Sequence, residues 1–180
     1  MRYIDKSAYF ASIGYKPHAR QKLYHNSTAR FRVPICGRRF GKSIMAGRDA
    51  EPELLLPDKR IWIVGPNYNL AEKEFRVIWN DLIVKRGFGK DKRVKRAYNI
   101  RAGEMSIEFP NNYPNAKTKL EVRSAMHPEH LVGESLSGVI MSEAAKHNEN
   151  TWDQYIRPSL TDTRGWATFP TTPEGFNWLY

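Results

Sequence analysis

The stretch that decides the fold is residues 31–50, FRVPICGRRFGKSIMAGRDA. Its first five residues are mostly apolar and predict a strand, and the residues from Ser43 onward predict a helix. Between them, residues 36–43 form a glycine-containing loop that ends in Gly-Lys-Ser. A strand, such a loop and a helix are the context in which a phosphate-binding loop is recognised. This stretch, called the phosphate loop below (residues 36–43), therefore predicts a site for a nucleoside triphosphate.

The residue types of the phosphate loop suit a polyphosphate. Glycines let backbone N–H groups crowd around phosphate oxygens, and the helix N-terminus adds the positive end of its dipole. Lys42 is expected to reach the β- and γ-phosphates, and the Ser43 hydroxyl to bind Mg²⁺. The usual pattern has a small residue at position 36, so Cys36 followed by Gly37 is interpreted as a variant. A chance Gly-Lys-Ser in an ordinary loop is the alternative. The predicted nucleotide-binding residues here are Cys36, Gly37, Arg38, Arg39, Phe40, Gly41, Lys42, Ser43 and Ile44.

The composition is that of a globular protein with a large excess of positive charge. Twenty-nine Lys and Arg residues against 19 Asp and Glu residues give a net charge of +10 over 180 residues. Such an excess favours contact with polyanions. Its densest part is the basic cluster (Lys92, Arg93, Lys95 and Arg96), in a segment, 87–96, that predicts a loop. The basic cluster either contacts DNA or is a solvated loop, since charge alone does not identify DNA.

Other features exclude several classes of protein. The chain has one cysteine, which excludes an internal disulfide framework and fits a reducing cytosol. No apolar run of about 18 residues predicts a membrane span, and the first residues lack the apolar core of a signal peptide. His127 and His130 lack a third ligand at metal-site spacing, so a zinc site is rejected. No G-x-S-x-G and no G-x-G-x-x-G motif is present.

A second candidate contact precedes the phosphate loop. Pro17 predicts the start of a helix that carries Gln21. The amide of a glutamine offers both a donor and an acceptor, as recognition of the adenine edge requires. A surface position on the helix is the alternative.

An apolar strand that ends in an acidic residue follows the phosphate loop about 100 residues downstream, at 136–145. Glu143 at its end is a candidate general base that orients and polarises the attacking water. The preceding position usually carries the aspartate that holds Mg²⁺, and here it is Ser142. A hydroxyl can bind a metal-coordinated water but brings no negative charge. A loop carboxylate without chemistry is the alternative for Glu143.

The remaining chain predicts a scaffold. The apolar residues between 71 and 83 repeat at helical spacing and are assigned to the core without chemistry. Residues 97–100 and 104–109 predict a hairpin, 110–117 a loop, 120–125 a strand and 148–157 a helix. A last strand, 165–169, leads to Thr171 and Thr172, whose hydroxyls are candidates for sensing a γ-phosphate, with a plain turn as the alternative.

Together these stretches resemble the ATPase domain of the large terminase subunit, the motor that packages DNA in tailed bacteriophages. The resemblance covers nearly the whole chain and rests on residues 17–21, 37–43, 139–145 and 171–175. It implies an α/β fold of the RecA-like P-loop NTPase type with a catalytic glutamate, in which helices flank a mainly parallel central sheet. ATP and Mg²⁺ are the implied cofactors and double-stranded DNA the implied substrate. The implied partners are the portal protein of a procapsid, the small terminase subunit and copies of the chain itself in a ring, usually of five. The chain is expected to be a monomer when isolated, and the implied location is the host cytoplasm.

The resemblance also implies roles for single residues. Gln21 would contact adenine, and Lys42, Arg39 and Glu143 would be catalytic. Ser43, and Ser142 through a water, would hold the metal. Thr171 and Thr172 would couple hydrolysis to movement.

Two features depart from the family pattern. Ser142 stands in place of aspartate, and Val132 stands where an arginine is frequent before the glycine that leads to the acidic strand. An arginine finger would then have to come from elsewhere, and the candidates are Arg101, Arg123 and Arg157.

The expected organisation is a single ATPase domain over 1–180, with an adenine-motif region at 1–30 and a core at 31–180. A nuclease domain is expected to be absent, and with it DNA cleavage. A helicase-like remodelling ATPase is the first alternative function. A nucleotide-binding, DNA-docking module with little hydrolysis of its own is the second.

Overall fold

In the computed structural model, residues 5–110 and 117–179 are described. The helices are α1 (Lys6–Ser12), α2 (Ala19–His25), α3 (Lys42–Leu54), α4 (Tyr68–Ile78) and α5 (Arg157–Ser159). α4 continues as a π-helical segment, Trp79–Lys85, and another such segment, Thr151–Ile156, precedes α5. Short 3₁₀ turns lie at Phe88–Lys90, Pro128–His130 and Ala144–Lys146. The strands are β1 (Phe31–Arg32), β2 (Arg60–Gly65), β3 (Lys95–Asn99), β4 (Glu104–Phe109), β5 (Thr118–Ser124), β6 (Gly138–Met141) and β7 (Trp166–Thr168).

The described strands form one sheet in the order β1-β7-β6-β2-β5-β4-β3. The first five in this order run parallel, and the β3–β4 hairpin joins them antiparallel through β5. The predicted mainly parallel α/β architecture is therefore confirmed. The carboxyl ends of parallel strands share one edge of a sheet, and ligands bind there in open α/β folds. The phosphate loop follows β1 and Glu143 follows β6, so both lie at this edge.

The central strands are covered on both faces, which explains their nearly continuous apolar sequences. Along β2, Ile61 and Ile63 face the cluster built with α1, α3 and α4, while Trp62 and Val64 face the opposite cluster. The second cluster includes Trp152, Ile156 and Leu160 around α5, with buried residues of β6 and β7. The apolar stripe of α4 packs into the first cluster as predicted, and the Asn67 side chain caps this helix by accepting from the Leu70 N–H at 3.0 Å.

Several predicted boundaries need correction. β1 ends at Arg32 because Pro34 has no N–H for the ladder, and pairing resumes as a single bridge between Ile35 and Thr171. The predicted loop at 87–96 is wrong at its end. Lys95 and Arg96 belong to β3, where they pair with Glu108 and Ile107 of β4. Residues 111–116 of the predicted loop at 110–117 lie outside the described residues.

In the described part of the chain, no helix combines the length and the apolar character needed to cross a membrane.

Candidate functional site

A cleft at the carboxyl edge of the sheet brings the predicted site residues together. It has a volume of about 680 Å³ and is lined by the phosphate loop, by Glu143 and by Thr172. The charged side chains on its wall are Arg38, Arg39, Lys42, Lys73, Lys146, Glu143 and Glu174. Five of these seven are cationic, so the wall suits a polyanion.

The phosphate loop has the backbone geometry that its sequence predicts. Gly41 has a φ of 88° and precedes the first turn of α3, and Arg39 is a non-glycine residue at a φ of 64°. The first intrahelical bond runs from the Met45 N–H to the Gly41 carbonyl, so the earlier N–H groups of α3 have no helical acceptor. The Lys42 ammonium donates to the carbonyls of Cys36 and Gly37 at 3.1 and 3.2 Å. Free N–H groups and an ammonium on a helix N-terminus fit a nucleotide phosphate.

Gln21 is buried against the phosphate loop, so the surface-position alternative is wrong. Its side chain is 6% exposed, and its Nε2 donates to the Phe40 carbonyl at 3.3 Å. Its Oε1 accepts from the His18 N–H and from the Tyr15 hydroxyl, both at 3.2 Å. A Cβ at Gly41 would lie 2.9 Å from the Gln21 amide nitrogen, so glycine is needed at this contact. In this arrangement Gln21 holds the loop, and its contact with adenine stays a prediction.

The bonds of Gln21 continue into the interior. Tyr15 lies 3.2 Å from His25 Nε2, and His25 Nδ1 lies 2.8 Å from a carboxylate oxygen of Asp49. Asp49 also receives Lys6 and Arg32, each at 2.8 Å. Burial raises the pKa of Asp49, but the His25 hydrogen bond and the charges of Arg32 and Lys6 lower it by more, to about 2. A chain of polar contacts thus connects α3 to the phosphate loop through the N-terminal region.

Glu143 lies at the end of β6 and faces the cleft. Its φ of 49° is in the left-handed region, which costs a non-glycine residue energy and is frequent at functional sites. Its Oε1 lies 3.5 Å from Lys73 Nζ, and its side chain is 19% exposed. A carboxylate that shares one cleft with the phosphate loop can reach a water next to a bound phosphate.

Ser142 points away from solvent, toward α4. It is fully buried, and its hydroxyl lies 2.8 Å from Glu74 Oε2 and 3.2 Å from the Leu70 carbonyl. Glu74 is 2% exposed. Burial raises the pKa of Glu74 to about 7, against the lowering effect of hydrogen bonds from Ser142 and Ser43. The two predicted metal-binding hydroxyls therefore meet at one buried carboxylate.

The described residues contain no group of three or more His, Cys, Asp and Glu side chains that would hold a metal ion by itself. Mg²⁺ in nucleotide sites takes one or two protein ligands and completes its shell with phosphates and water. The Ser43 hydroxyl and the Glu74 carboxylate are oxygen donors of the type that this ion prefers, so the donor set fits Mg²⁺.

Thr171 and Thr172 occupy the end of β7 between the two halves of the site. The Cys36 N–H donates to the Thr171 carbonyl at 3.0 Å, and the Thr171 hydroxyl accepts from the Ala145 N–H at 3.1 Å. Thr172 lies on the cleft wall. Thr171 thus joins the start of the phosphate loop to the segment after Glu143.

The structure does not bring the basic cluster to this cleft. β3 and β1 are the opposite edges of the sheet, six strand spacings apart, or roughly 29 Å at about 4.8 Å each. The four side chains of the basic cluster are exposed. Arg93 pairs with Asp91 at 2.8 Å and Lys95 with Glu108 at 3.8 Å.

The three arginine-finger candidates also lie outside the cleft wall. Arg123 stacks on the Trp62 ring at 5.1 Å and donates to Glu121 at 2.8 Å, so its guanidinium is engaged within the domain. Arg157 lies 3.5 Å from Asp153. Arg101 is exposed in the hairpin turn between β3 and β4.

Sequence reasoning missed the contribution of α4, whose residues were assigned no chemistry. Lys73 lies on the cleft wall and Glu74 contacts both hydroxyls. A signal was present, because Glu74 is three residues after Ala71 and four before Ile78, on the apolar stripe of the helix. An acidic residue on a buried helix face needs a partner.

Comparisons with known proteins place this cleft in a family. The terminase large subunit of Thermus virus P23-45 is 36% identical over 186 aligned positions, which span 100% of this chain and 38% of that protein. That of Escherichia phage T5 is 30% identical over 83% of this chain and 32% of its own length. The chain thus spans about 38% or less of the length of these relatives. No model of a protein family matches the chain.

Solved structures agree with these relatives. The large terminase ATPase domain of Thermus phage P74-26 has a TM-score of 0.81 and 34% identity, covering 100% of this chain and 73% of that one. The HK97 large terminase shares the fold at a TM-score of 0.60 and 11% identity, over 96% of this chain and 33% of that one. A large terminase of a thermophilic bacteriophage, solved with ADP, shares it at 0.53 and 11%, over 95% of this chain and 38% of that one. With its phosphate loop and catalytic-edge glutamate in the same architecture, the chain belongs to the ATPase domains of phage large terminase subunits.

Proposed function

We propose that the chain is an ATP-hydrolysing motor domain that powers the translocation of double-stranded viral DNA into a procapsid. The observation that carries the proposal is the cleft shared by the phosphate loop and Glu143. Membership of the terminase family supports the packaging role and favours it over a helicase-like function. The ADP complex of one structural neighbour supports an adenine nucleotide as the ligand.

The residues of the cleft divide the reaction among them. The free N–H groups at the start of α3 and the Lys42 ammonium bind the β- and γ-phosphates, and Arg39 approaches the γ-phosphate from the loop. Glu143 orients a water in line with the γ-phosphorus and accepts its proton as the bond to the β-phosphate oxygen breaks, which yields ADP and inorganic phosphate. Ser43 would hold Mg²⁺, which when bound neutralises charge that develops on the phosphate oxygens.

Movement is proposed to begin at Thr171 and Thr172. Because Thr171 contacts both Cys36 and Ala145, a shift of the Glu143 segment after phosphate release would be transmitted to the phosphate loop. The proposed partners are double-stranded DNA, the portal protein, the small terminase subunit and further copies of the chain in a ring, in the host cytoplasm. The basic cluster is proposed as a DNA contact. Its exposure and its distance from the cleft would leave nucleotide binding undisturbed.

The alternative of a docking module with little hydrolysis is supported by one observation, the serine at position 142. Phosphate release should be measured for the chain alone and with DNA and portal protein. The motor predicts turnover that increases in the assembled system, while absence of turnover in both conditions would favour the docking module.

Glu143→Gln tests the catalytic assignment. It should preserve binding of a fluorescent ATP analogue and reduce turnover by at least about 100-fold, the lower range for a general base. Unchanged turnover would remove Glu143 from its role. Glu174→Gln, on the same cleft wall, is the matched control and should leave turnover within a factor of a few.

A further inference from the structure

Glu74 is a buried acidic residue that the mechanism above does not use. It lies in the middle of α4 and is 2% exposed, and among the described residues no Lys, Arg or His lies within ion-pair distance of its carboxylate. Its neighbour Lys73 contacts Glu143 instead. Burial of an ionised carboxylate without a compensating cation is costly, so such groups in proteins are commonly paired or bind a metal.

The contacts of Glu74 are those of a metal site. Its Oε2 accepts from the Ser142 hydroxyl at 2.8 Å, and the Ser43 hydroxyl forms a second side-chain hydrogen bond to the same carboxylate. Ser43 is the residue of the phosphate loop whose hydroxyl is expected to bind Mg²⁺. Ser142 occupies the strand position that usually carries the acidic metal-binding residue. Glu74 thus places a carboxylate between these two positions.

The packing of α3 against α4 holds Glu74 in this place. Gly47 lies four residues after Ser43 on α3, and a Cβ there would approach the Glu74 carbonyl to 3.1 Å and the Val77 Cβ to 3.3 Å. Glycine therefore permits the close approach of the two helices on the face that carries Ser43. The Asn67 cap fixes the start of α4, one and a half turns before Glu74 by the helical period of about 3.6 residues.

We propose that Glu74 supplies the negative charge of the Mg²⁺ site that position 142 lacks, and that Ser142 positions the Glu74 carboxylate by hydrogen bonding to it. The carboxylate acts on the ion directly or through one of its waters, since Mg²⁺ in nucleotide sites keeps several waters. This inference rests on the proposed function, because it concerns the same nucleotide site. It assigns the acidic group to a helix rather than to the end of β6.

The test measures binding rather than turnover. The Kd of a fluorescent ATP analogue is determined in EDTA and in Mg²⁺, and the ratio of the two values reports how strongly the protein couples the ion to the nucleotide. Glu74→Gln keeps the shape and the hydrogen-bond acceptor for Ser142 but removes the charge. We expect this ratio to fall about tenfold or more, as for other changes around a metal site, with the Kd in EDTA unchanged.

Two further variants sharpen the result. Glu72→Gln removes a buried carboxylate from the same helix, one that accepts from Tyr98 and neighbours Arg76, and should leave the ratio unchanged. Combining Glu74→Gln with Ser142→Asp returns a carboxylate to the end of β6 and should restore the ratio in part.

Each remaining outcome counts against the inference in a distinct way. An unchanged ratio in Glu74→Gln overturns it while the proposed function stands. Equal weakening in EDTA and in Mg²⁺ assigns Glu74 a purely structural role and also overturns it. If the unmodified chain binds no ATP analogue in either condition, the proposed function fails, and the inference fails with it. Thermal unfolding of each variant identifies loss of fold, and in that case Ser142→Ala, which keeps the Glu74 charge but removes its hydrogen bond, must lower the ratio for the inference to survive.

Discussion

Replacing Asp49 by asparagine should destabilise the whole domain and loosen the phosphate loop. Asp49 lies on α3 and is 2% exposed, and its two oxygens receive Lys6, His25 and Arg32 at 2.8 Å each. These partners come from α1, α2 and β1, so four elements meet at one carboxylate. Asparagine has nearly the same shape but cannot balance the buried Arg32 guanidinium, which is 8% exposed.

The magnitude follows from two independent considerations. Removing one partner of a buried ion pair costs about 3–5 kcal/mol, because the remaining charge stays buried without compensation. The pKa of Asp49 is lowered from 3.8 to about 2 by its partners. A shift of this size corresponds to roughly 2–3 kcal/mol of folding free energy. We therefore expect Asp49→Asn to lower the free energy of unfolding at pH 7 by about 2–5 kcal/mol, a large part of the total for a domain of this size.

The pH dependence has a defined sign. The carboxylate has a lower pKa in the folded state, so its contribution is fully present above pH 3.8 and is lost as pH falls toward 2. Urea unfolding of the unmodified chain and of Asp49→Asn should therefore differ most near neutral pH and converge in acid. Asp58→Asn is the matched control, because Asp58 is exposed and asparagine tolerates its φ of 56°. A loss below about 1 kcal/mol at pH 7, or a difference that does not shrink in acid, would refute this reasoning.

Two other predictions concern charge. Burial and the charge of Asp81 raise the pKa of Glu51 to about 8, so its stabilising protonated form is lost between pH 4.5 and 8; Glu51→Gln should become more stable than the unmodified chain across that range, by at most about 1.4 kcal/mol per pH unit, in urea unfolding at pH 5 and 8.5. A constant difference between the two proteins would show that Glu51 is ionised in the fold. Replacing the basic cluster by alanine should weaken DNA binding and reduce the slope of log K against log salt by up to about 0.9 for each phosphate that the variant no longer neutralises, in fluorescence anisotropy titrations. An unchanged slope would identify the cluster as a solvated surface.

The sequence predicted most of the scaffold because its signals are local. The apolar period of α4, the Asn67 cap and the glycines of the phosphate loop each depend on neighbours within a few residues, and each is found as predicted. The end of β1 was misjudged because an apolar run was given more weight than the missing N–H of Pro34. Lys95 and Arg96 were assigned to a loop because pairing with β4 overrides their weak preference for strand.

The site was predicted less completely because its decisive contacts join distant parts of the chain. Ser142 and Glu74 are 68 residues apart, and no local pattern states that the end of β6 faces the middle of α4. Gln21 was a candidate ligand for adenine on the basis of its amide chemistry. Its burial against Phe40 depends on how α2 packs, and a sequence pattern does not contain that information. Types of residue were therefore easier to predict than their partners.

The N-terminal region and the end of β7 support the phosphate loop from two sides. Gln21 holds the Phe40 carbonyl and is itself held through Tyr15 and His25, while Thr171 holds the Cys36 N–H. The loop is thus fixed near both ends, and the segment between them, which includes Arg38 and Arg39, is the part with freedom to respond to a ligand. Arg39 already has a left-handed backbone, a conformation that costs energy and that ligand contacts can repay. Because Thr171 also binds the segment after Glu143, a change at the hydrolytic carboxylate reaches the Cys36 end of the loop first, so the two arginines between the anchors are where we expect the nucleotide state to be expressed.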